Sequence, residues 1–102
     1  MDKKPYVSWE EVKANLNIND EQEVEIRLEE EIIEATIEAR KKCNLSQREL
    51  SEKSGVKQPA IARLEKGVNS PQTSTLIKVL YAMGYTLKVV PLEEVFPEKA
   101  KE

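Results

Sequence analysis

The chain has 102 residues, 39% apolar and 34% charged, with a net charge of -3, one cysteine and no histidine. That suits one small domain with a solvated surface. It leaves no pair for an internal disulfide, no histidine–cysteine metal site and no histidine-assisted nucleophile, so neither a catalytic nor a metal site is expected and no cofactor is implied. No apolar run is long enough to span a membrane, and the opening segment has no apolar core that could act as a signal peptide. The expected setting is the reducing cytoplasm.

The net charge conceals an asymmetry. Residues 1–39 carry 4 basic and 12 acidic side chains, residues 40–90 carry 10 basic and 3 acidic, and residues 91–102 carry 2 basic and 4 acidic. A cationic middle suits a polyanion such as nucleic acid, and an acidic arm suits a basic protein partner.

Ser8-Trp9-Glu10-Glu11 has capping-box spacing and predicts a short helix from Trp9 to Leu16. Asn15, Asn17 and Asn19 interrupt it, and Asn19 or Asp20 can cap a long second helix from Asp20 to Cys43. That helix carries two apolar stripes: Val24, Leu28, Ile32 and Ala39 on one, Ile26, Ile33 and Ile37 on the other. Either the first helix folds back over the second stripe or a partner covers it. Ser46, with Glu49 three residues on, caps a helix that Gly55 stops. Pro59 starts the next, which Gly67 ends. Thr73 is expected to cap a helix through Leu76, Val79, Leu80 and Met83. Residues 85–90, Tyr-Thr-Leu-Lys-Val-Val, alternate and are β-rich, which predicts a strand. A lone strand leaves its polar backbone unpaired, so Tyr85, Leu87 and Val89 are expected to pair with a second copy. The charged tail from Leu92 is expected to fray.

Two short helices, Ser46–Ser54 and Gln58–Lys66, joined by a tight Gly55-Val56 turn, form a helix-turn-helix. Leu50, Val56, Ile61 and Leu64 are expected inward, setting the angle between them. The second helix presents Gln58, Pro59, Ala60, Ala62 and Arg63, where arginine can read guanine and glutamine adenine. Ser46 and Gln47, at the first helix's N-terminus, and Lys57, Lys66 and Asn69 beside the reader suit backbone contacts.

Leu45-Ser46-Gln47-Arg48-Glu49-Leu50-Ser51 through Gly55-Val56-Lys57-Gln58-Pro59-Ala60-Ile61-Ala62-Arg63-Leu64-Glu65-Lys66-Gly67 resembles the helix-turn-helix of Cro/repressor-type (XRE-type) DNA-binding proteins. The resemblance implies a structural ion pair between Arg40 and Glu65. Pro59 departs from it, standing at a usual base-reading position, so contact there would be apolar, as to a thymine methyl. Ser8-Trp9-Glu10-Glu11-Val12-Lys13, the acidic helix, Ser70-Pro71-Gln72-Thr73-Ser74-Thr75-Leu76 and Met83-Gly84-Tyr85-Thr86-Leu87 are similar to HigA-type antitoxins. That likeness implies an antitoxin that neutralises a small basic RelE/HigB-type ribonuclease toxin and represses its own operon as a homodimer on a palindromic operator. The alternative is a free-standing XRE-type regulator without a toxin.

The expected architecture is therefore all-α: an acidic N-terminal helical extension over residues 1–30, a helix-turn-helix domain with a C-terminal dimerising β-strand over residues 31–91, and a short charged tail over residues 92–102. A palindrome would receive the two recognition helices roughly 34 Å apart. Cys43 reads as a small, partly buried helix residue, and Tyr6 and Trp9 as packing the arm onto the domain.

Overall fold

The structure, a computed structural model, describes residues 8–99. In chain order it contains α1 (Trp9–Leu16), α2 (Asp20–Lys42), α3 (Gln47–Ser54), α4 (Gln58–Lys66), α5 (Thr73–Ala82), α6 (Leu92–Val95) and a closing 3₁₀ turn (Pro97–Lys99).

Local chemistry explains the boundaries. The Ser8 hydroxyl accepts from the Glu11 amide at 3.2 Å, and Asn17 ends α1 in the left-handed region at φ 60°, which asparagine tolerates. Asn19, rather than Asp20, caps α2: its Oδ1 accepts from the Gln22 amide at 2.8 Å and Gln22 Oε1 accepts from the Asn19 amide at 3.1 Å. Ser46 and Glu49 close the same reciprocal box on α3, at 3.0 and 2.8 Å. Each box satisfies two amides that a helix start leaves orphaned. Gly55 and Gly67 end α3 and α4 at φ 79° and 71°. At Gly67 a Cβ would also lie 3.3 Å from Ile33 Cδ1, so α2 passes close to this turn. The cap of α5 is Gln72 and makes no side-chain bond; Thr73 is the first helical residue, because the extended backbone that a cap requires falls one position earlier.

Helices α3, α4 and α5 enclose Leu50, Val56, Ile61, Val79, Leu80 and Met83, and α2 contributes Ala39 from its last turns. Leu64 and Leu76 are buried as well. The four residues expected to set the angle between α3 and α4 are thus all inside. On α2 only Ala39 of the two stripes is fully buried; Ile26 is 42% and Leu28 39% exposed. Thr36 is buried too, and its hydroxyl donates to the Ile32 carbonyl at 2.7 Å.

The far end of α2 is organised around a buried carboxylate. Glu23 is 4% exposed. Lys13 of α1 approaches it at 3.1 Å, Arg27 at 3.1 Å and Lys99 at 2.7 Å. Arg27 also pairs with Glu98 at 2.6 Å and stacks on Phe96, 4.7 Å from the ring centroid. Lys99 reaches Asp20 at 3.0 Å. Residues far apart in the chain therefore meet at Glu23. The short helix α1 is held there by its lysine and leaves the Ile26 end of α2 open.

Three expectations fail here. Residues 85–90 form no strand: no strand occurs among the described residues. A strand exists only by pairing, and every other described element is helical, so the alternating pattern has no ladder to join. Tyr85, Leu87 and Val89 are exposed, Val89 at 96%. The tail does not fray as far as it is described: Phe96 is 1% exposed and its neighbours are ion-paired onto α2. One aromatic residue in a charged segment is enough to seat it. Cys43 is exposed rather than partly buried, Trp9 is half-buried, and Tyr6 lies outside the described residues.

The hydrogen bond from Lys99, joined by those from Lys13 and Arg27 and opposed by burial, holds the Glu23 carboxyl at about 2, below its ordinary 4.5. A carboxylate depressed by folding adds stability above its unfolded value, and that stability disappears as pH falls toward the folded value. Glu23→Gln should therefore lower the thermal midpoint at pH 7 by several degrees, on the order of the 4–8 °C expected per lost kcal/mol in a domain this size. The gap between variant and wild type should close between about pH 4.5 and 2, followed by circular dichroism. A gap independent of pH would place the stabilisation elsewhere.

Candidate nucleic-acid interface

The helix-turn-helix is built from α3, the Gly55-Val56 turn and α4, with one face of α4 exposed. Lys57 is the residue that precedes α4, in extended conformation, and Gln58, Pro59, Ala60, Arg63 and Lys66 are exposed on it. Ala62 is half-buried. Lys57, Pro59, Ala60, Arg63 and Asn69 line one open groove, whose other wall is Ser70, Pro71, Gln72 and Thr75. Five of the ten sequence-derived candidates thus share one groove, and others, Ser46 and Gln47 among them, have tasks within the protein. Ser46 is the cap of α3, and its hydroxyl accepts from the Glu49 amide. Gln47 is half-buried and engaged at both ends of its amide.

That engagement belongs to a chain of polar contacts. The Arg40 guanidinium grips Glu65 with two bonds, Nε to Oε2 at 2.7 Å and Nη2 to Oε1 at 2.9 Å. Its third nitrogen donates to the Leu45 carbonyl at 3.0 Å. Gln47 Nε2 donates to Glu65 Oε1 at 2.9 Å, and Gln47 Oε1 accepts from Gln58 Nε2 at 3.3 Å. Arg40 is on α2, Gln47 on α3, and Gln58 and Glu65 on α4, so one carboxylate aligns three helices. Burial pushes the Glu65 carboxyl up, but the bonds from Arg40 and Gln47 outweigh it and hold the group below its ordinary value. The Glu65 bond in turn raises Arg40 above its ordinary value. A paired fork of this kind is stronger and more directional than a lysine contact.

Arg63 and Asn69 are coupled as well. With the Asn69 amide in the orientation that satisfies both of its ends, its oxygen accepts from Arg63 Nη2 at 3.1 Å and its nitrogen donates to the Val68 carbonyl at 3.2 Å. In that orientation the loop after α4 braces Arg63. Ser70, Pro71, Gln72 and Thr75 were not singled out by residue type as groove residues. The signal for Ser70, Pro71 and Gln72 is the turn-forming run from Asn69 that follows Gly67-Val68, since a loop leaving a helix stays close to that helix. Among the described residues no cluster of carboxylates and cysteine could hold a metal ion, and no helix is long and apolar enough to cross a membrane.

The family model described as helix-turn-helix matches residues 37–90, just over half of the chain. This chain belongs to the XRE-type helix-turn-helix family. It is 42% identical over 85 residues to an uncharacterized HTH-type transcriptional regulator of Haemophilus influenzae, covering 83% of this chain and 86% of that protein. It is 37% identical over 59 residues to Antitoxin HigA1 of Mycobacterium tuberculosis, covering 58% of this chain and 40% of the longer relative. Among solved structures, a chain from a toxin–antitoxin module of Streptococcus pneumoniae matches with a TM-score of 0.68 and 45% identity, over 85% of this chain and 96% of that one. The XRE-type protein is a DNA-binding regulator by family, and its homology extends to an antitoxin.

Glu65→Gln leaves Arg40 buried without its counter-charge and removes one acceptor from Gln47. The expected cost is about 3 kcal/mol, the low end for breaking a buried pair, since Arg40 keeps some solvent contact. Urea denaturation measures it; a loss below about 0.5 kcal/mol, the scale of an exposed pair, would mean that the pair holds nothing together.

Proposed function

We propose that this protein is the antitoxin of a toxin–antitoxin pair. It neutralises a small basic ribonuclease of RelE/HigB type and represses its own operon as a homodimer on a palindromic operator. The observation that carries this reading is the likeness to the streptococcal toxin–antitoxin module at 45% identity over 85% of the chain, a span well beyond the helix-turn-helix itself. The charge distribution agrees with it. Helix α2 exposes Glu21, Glu25, Glu30, Glu31, Glu34 and Glu38, a surface for a cationic partner, while the net positive charge lies over residues 40–90.

In this reading the acidic extension of residues 1–30, together with the continuation of α2 beyond it, faces the toxin, and α3, α4 and the loop after α4, within the domain of residues 31–91, face DNA. Arg63 reads a guanine, Gln58 an adenine, and Pro59 with Ala60 and Ala62 offers apolar contact to thymine methyls. Gln47 takes part by holding Gln58. Lys57, Lys66 and Asn69 meet phosphates, as does the α3 N-terminus at Ser46. The exposed side chains of Tyr85, Leu87 and Val89 supply an apolar contact between two protomers, without a strand in the single chain. The likeness to the Haemophilus regulator supports the same DNA chemistry without a toxin.

Arg63→Ala should cost about 1–3 kcal/mol on a duplex from the region upstream of this gene and relax selectivity at one base position. Binding assays on that duplex and on scrambled DNA check it; equal loss on both would refute base reading. The same preparation should sediment as a dimer at micromolar concentration and bind two protomers per duplex, and a monomer mass would remove the palindrome. Expression of the adjacent small reading frame should arrest growth, co-expression of this protein should relieve the arrest, and the two should co-purify. Reversing Glu21, Glu25 and Glu30 to lysine should abolish relief while leaving DNA binding intact. No arrest and no complex would leave a regulator without a toxin.

A further inference from the structure

The loop that leaves the recognition helix carries a hydroxyl already in use. Ser70 is exposed and lies in the same groove as Lys57, Pro59 and Arg63. Its Oγ donates to Glu29 Oε2 at 2.7 Å, a short bond to a charged acceptor. Glu29 is on α2, 41 residues earlier in the chain. The next residue back in the loop, Asn69, accepts from Arg63 in the amide orientation that satisfies both of its ends. The acidic helix is therefore bonded directly to the segment that braces the reading arginine. The ion pairs among the described residues engage Asp20, Glu23, Glu65 and Glu98, not Glu29.

A serine hydroxyl at the edge of a recognition helix is a donor of the type that grips a DNA phosphate. It has one hydrogen, so it cannot serve Glu29 and a phosphate oxygen together. We infer that Glu29 is an internal competitor of DNA: it withholds the Ser70 hydroxyl from the phosphate backbone, so that the acidic helix limits the affinity of the helix-turn-helix for any duplex. This rests on the DNA-binding reading of the α4 groove. It makes α2 a lever on DNA binding, because any cation that draws Glu29 off Ser70 acts in the same direction as removing the carboxylate.

The test is a double-mutant cycle with full-length wild type, Glu29→Ala, Ser70→Ala and the double variant. Affinities are read by fluorescence anisotropy on the upstream duplex and on a random-sequence duplex of equal length, at one salt concentration. Glu29→Ala should tighten both by about fivefold, the size of one hydrogen bond. Ser70→Ala alone should change affinity by less than about twofold, because its hydroxyl is engaged elsewhere, and on that background Glu29→Ala should gain less than about twofold. Equal gains on both backgrounds would overturn the inference, since the effect would then be charge removal alone. So would no gain, or a fivefold loss from Ser70→Ala by itself, which would put the hydroxyl on phosphate already. If wild type binds neither duplex, the DNA-binding reading falls and this inference with it; if wild type binds and the cycle is additive, the inference alone falls.

Discussion

The bidentate pair between Arg40 and Glu65 is the contact on which the placement of α4 depends. It joins the last turns of α2 to the last turn of α4, and the same guanidinium holds the Leu45 carbonyl just before α3 begins. The apolar core beneath sets how deeply the helices pack, but apolar contact is non-directional. The fork is directional, and it fixes how α4 is rotated about its axis. Gln47 and Gln58 extend that constraint to the surface, where Gln58 emerges at the start of the reader. A side chain expected to touch DNA thus acts chiefly as a support for its neighbour.

The molecule has a second polar centre of a different kind. Glu23 gathers a lysine from the first helix, an arginine from its own helix and a lysine from the last described turn. Phe96 supplies the apolar component, seated under Arg27. The long helix α2 therefore has one end built into the helix-turn-helix core and the other fastened by the two flanking segments. Between these ends its carboxylates and several apolar side chains stay open to solvent, which is the arrangement that an interaction surface needs. The Ser70–Glu29 bond crosses from this open stretch to the groove beside α4. The acidic helix and the loop that leaves α4 are thus in physical contact through a neutral hydroxyl and a carboxylate.

Most helix boundaries were legible because they are set by local chemistry. Asn19, Ser46, Gly55 and Gly67 act on backbone groups within three or four residues of themselves, so their meaning survives without knowledge of the fold. The inward set Leu50, Val56, Ile61 and Leu64 was legible for the same reason, as a helical period read in two short segments. The error at residues 85–90 has the opposite origin. Alternation states a preference for extended backbone, whereas a strand is a relation between two segments, and among the described residues no second segment pairs with it. The tail was misread because net charge masked Phe96, whose burial depends on a site that α2 and Arg27 create.

By itself, then, the sequence determined the helical punctuation, the helix-turn-helix with its inward residues, the opposed charges of arm and domain, and the family. Each of these is carried by near neighbours or by composition. Only the tertiary structure decided which polar groups meet: Glu23 with Lys99, Glu65 with Gln47, and Ser70 with Glu29. Those partners are 76, 18 and 41 residues apart. A carboxylate reads the same in sequence whether it is solvated, buried under three cations or bonded to a loop hydroxyl; the packing of distant segments makes the difference.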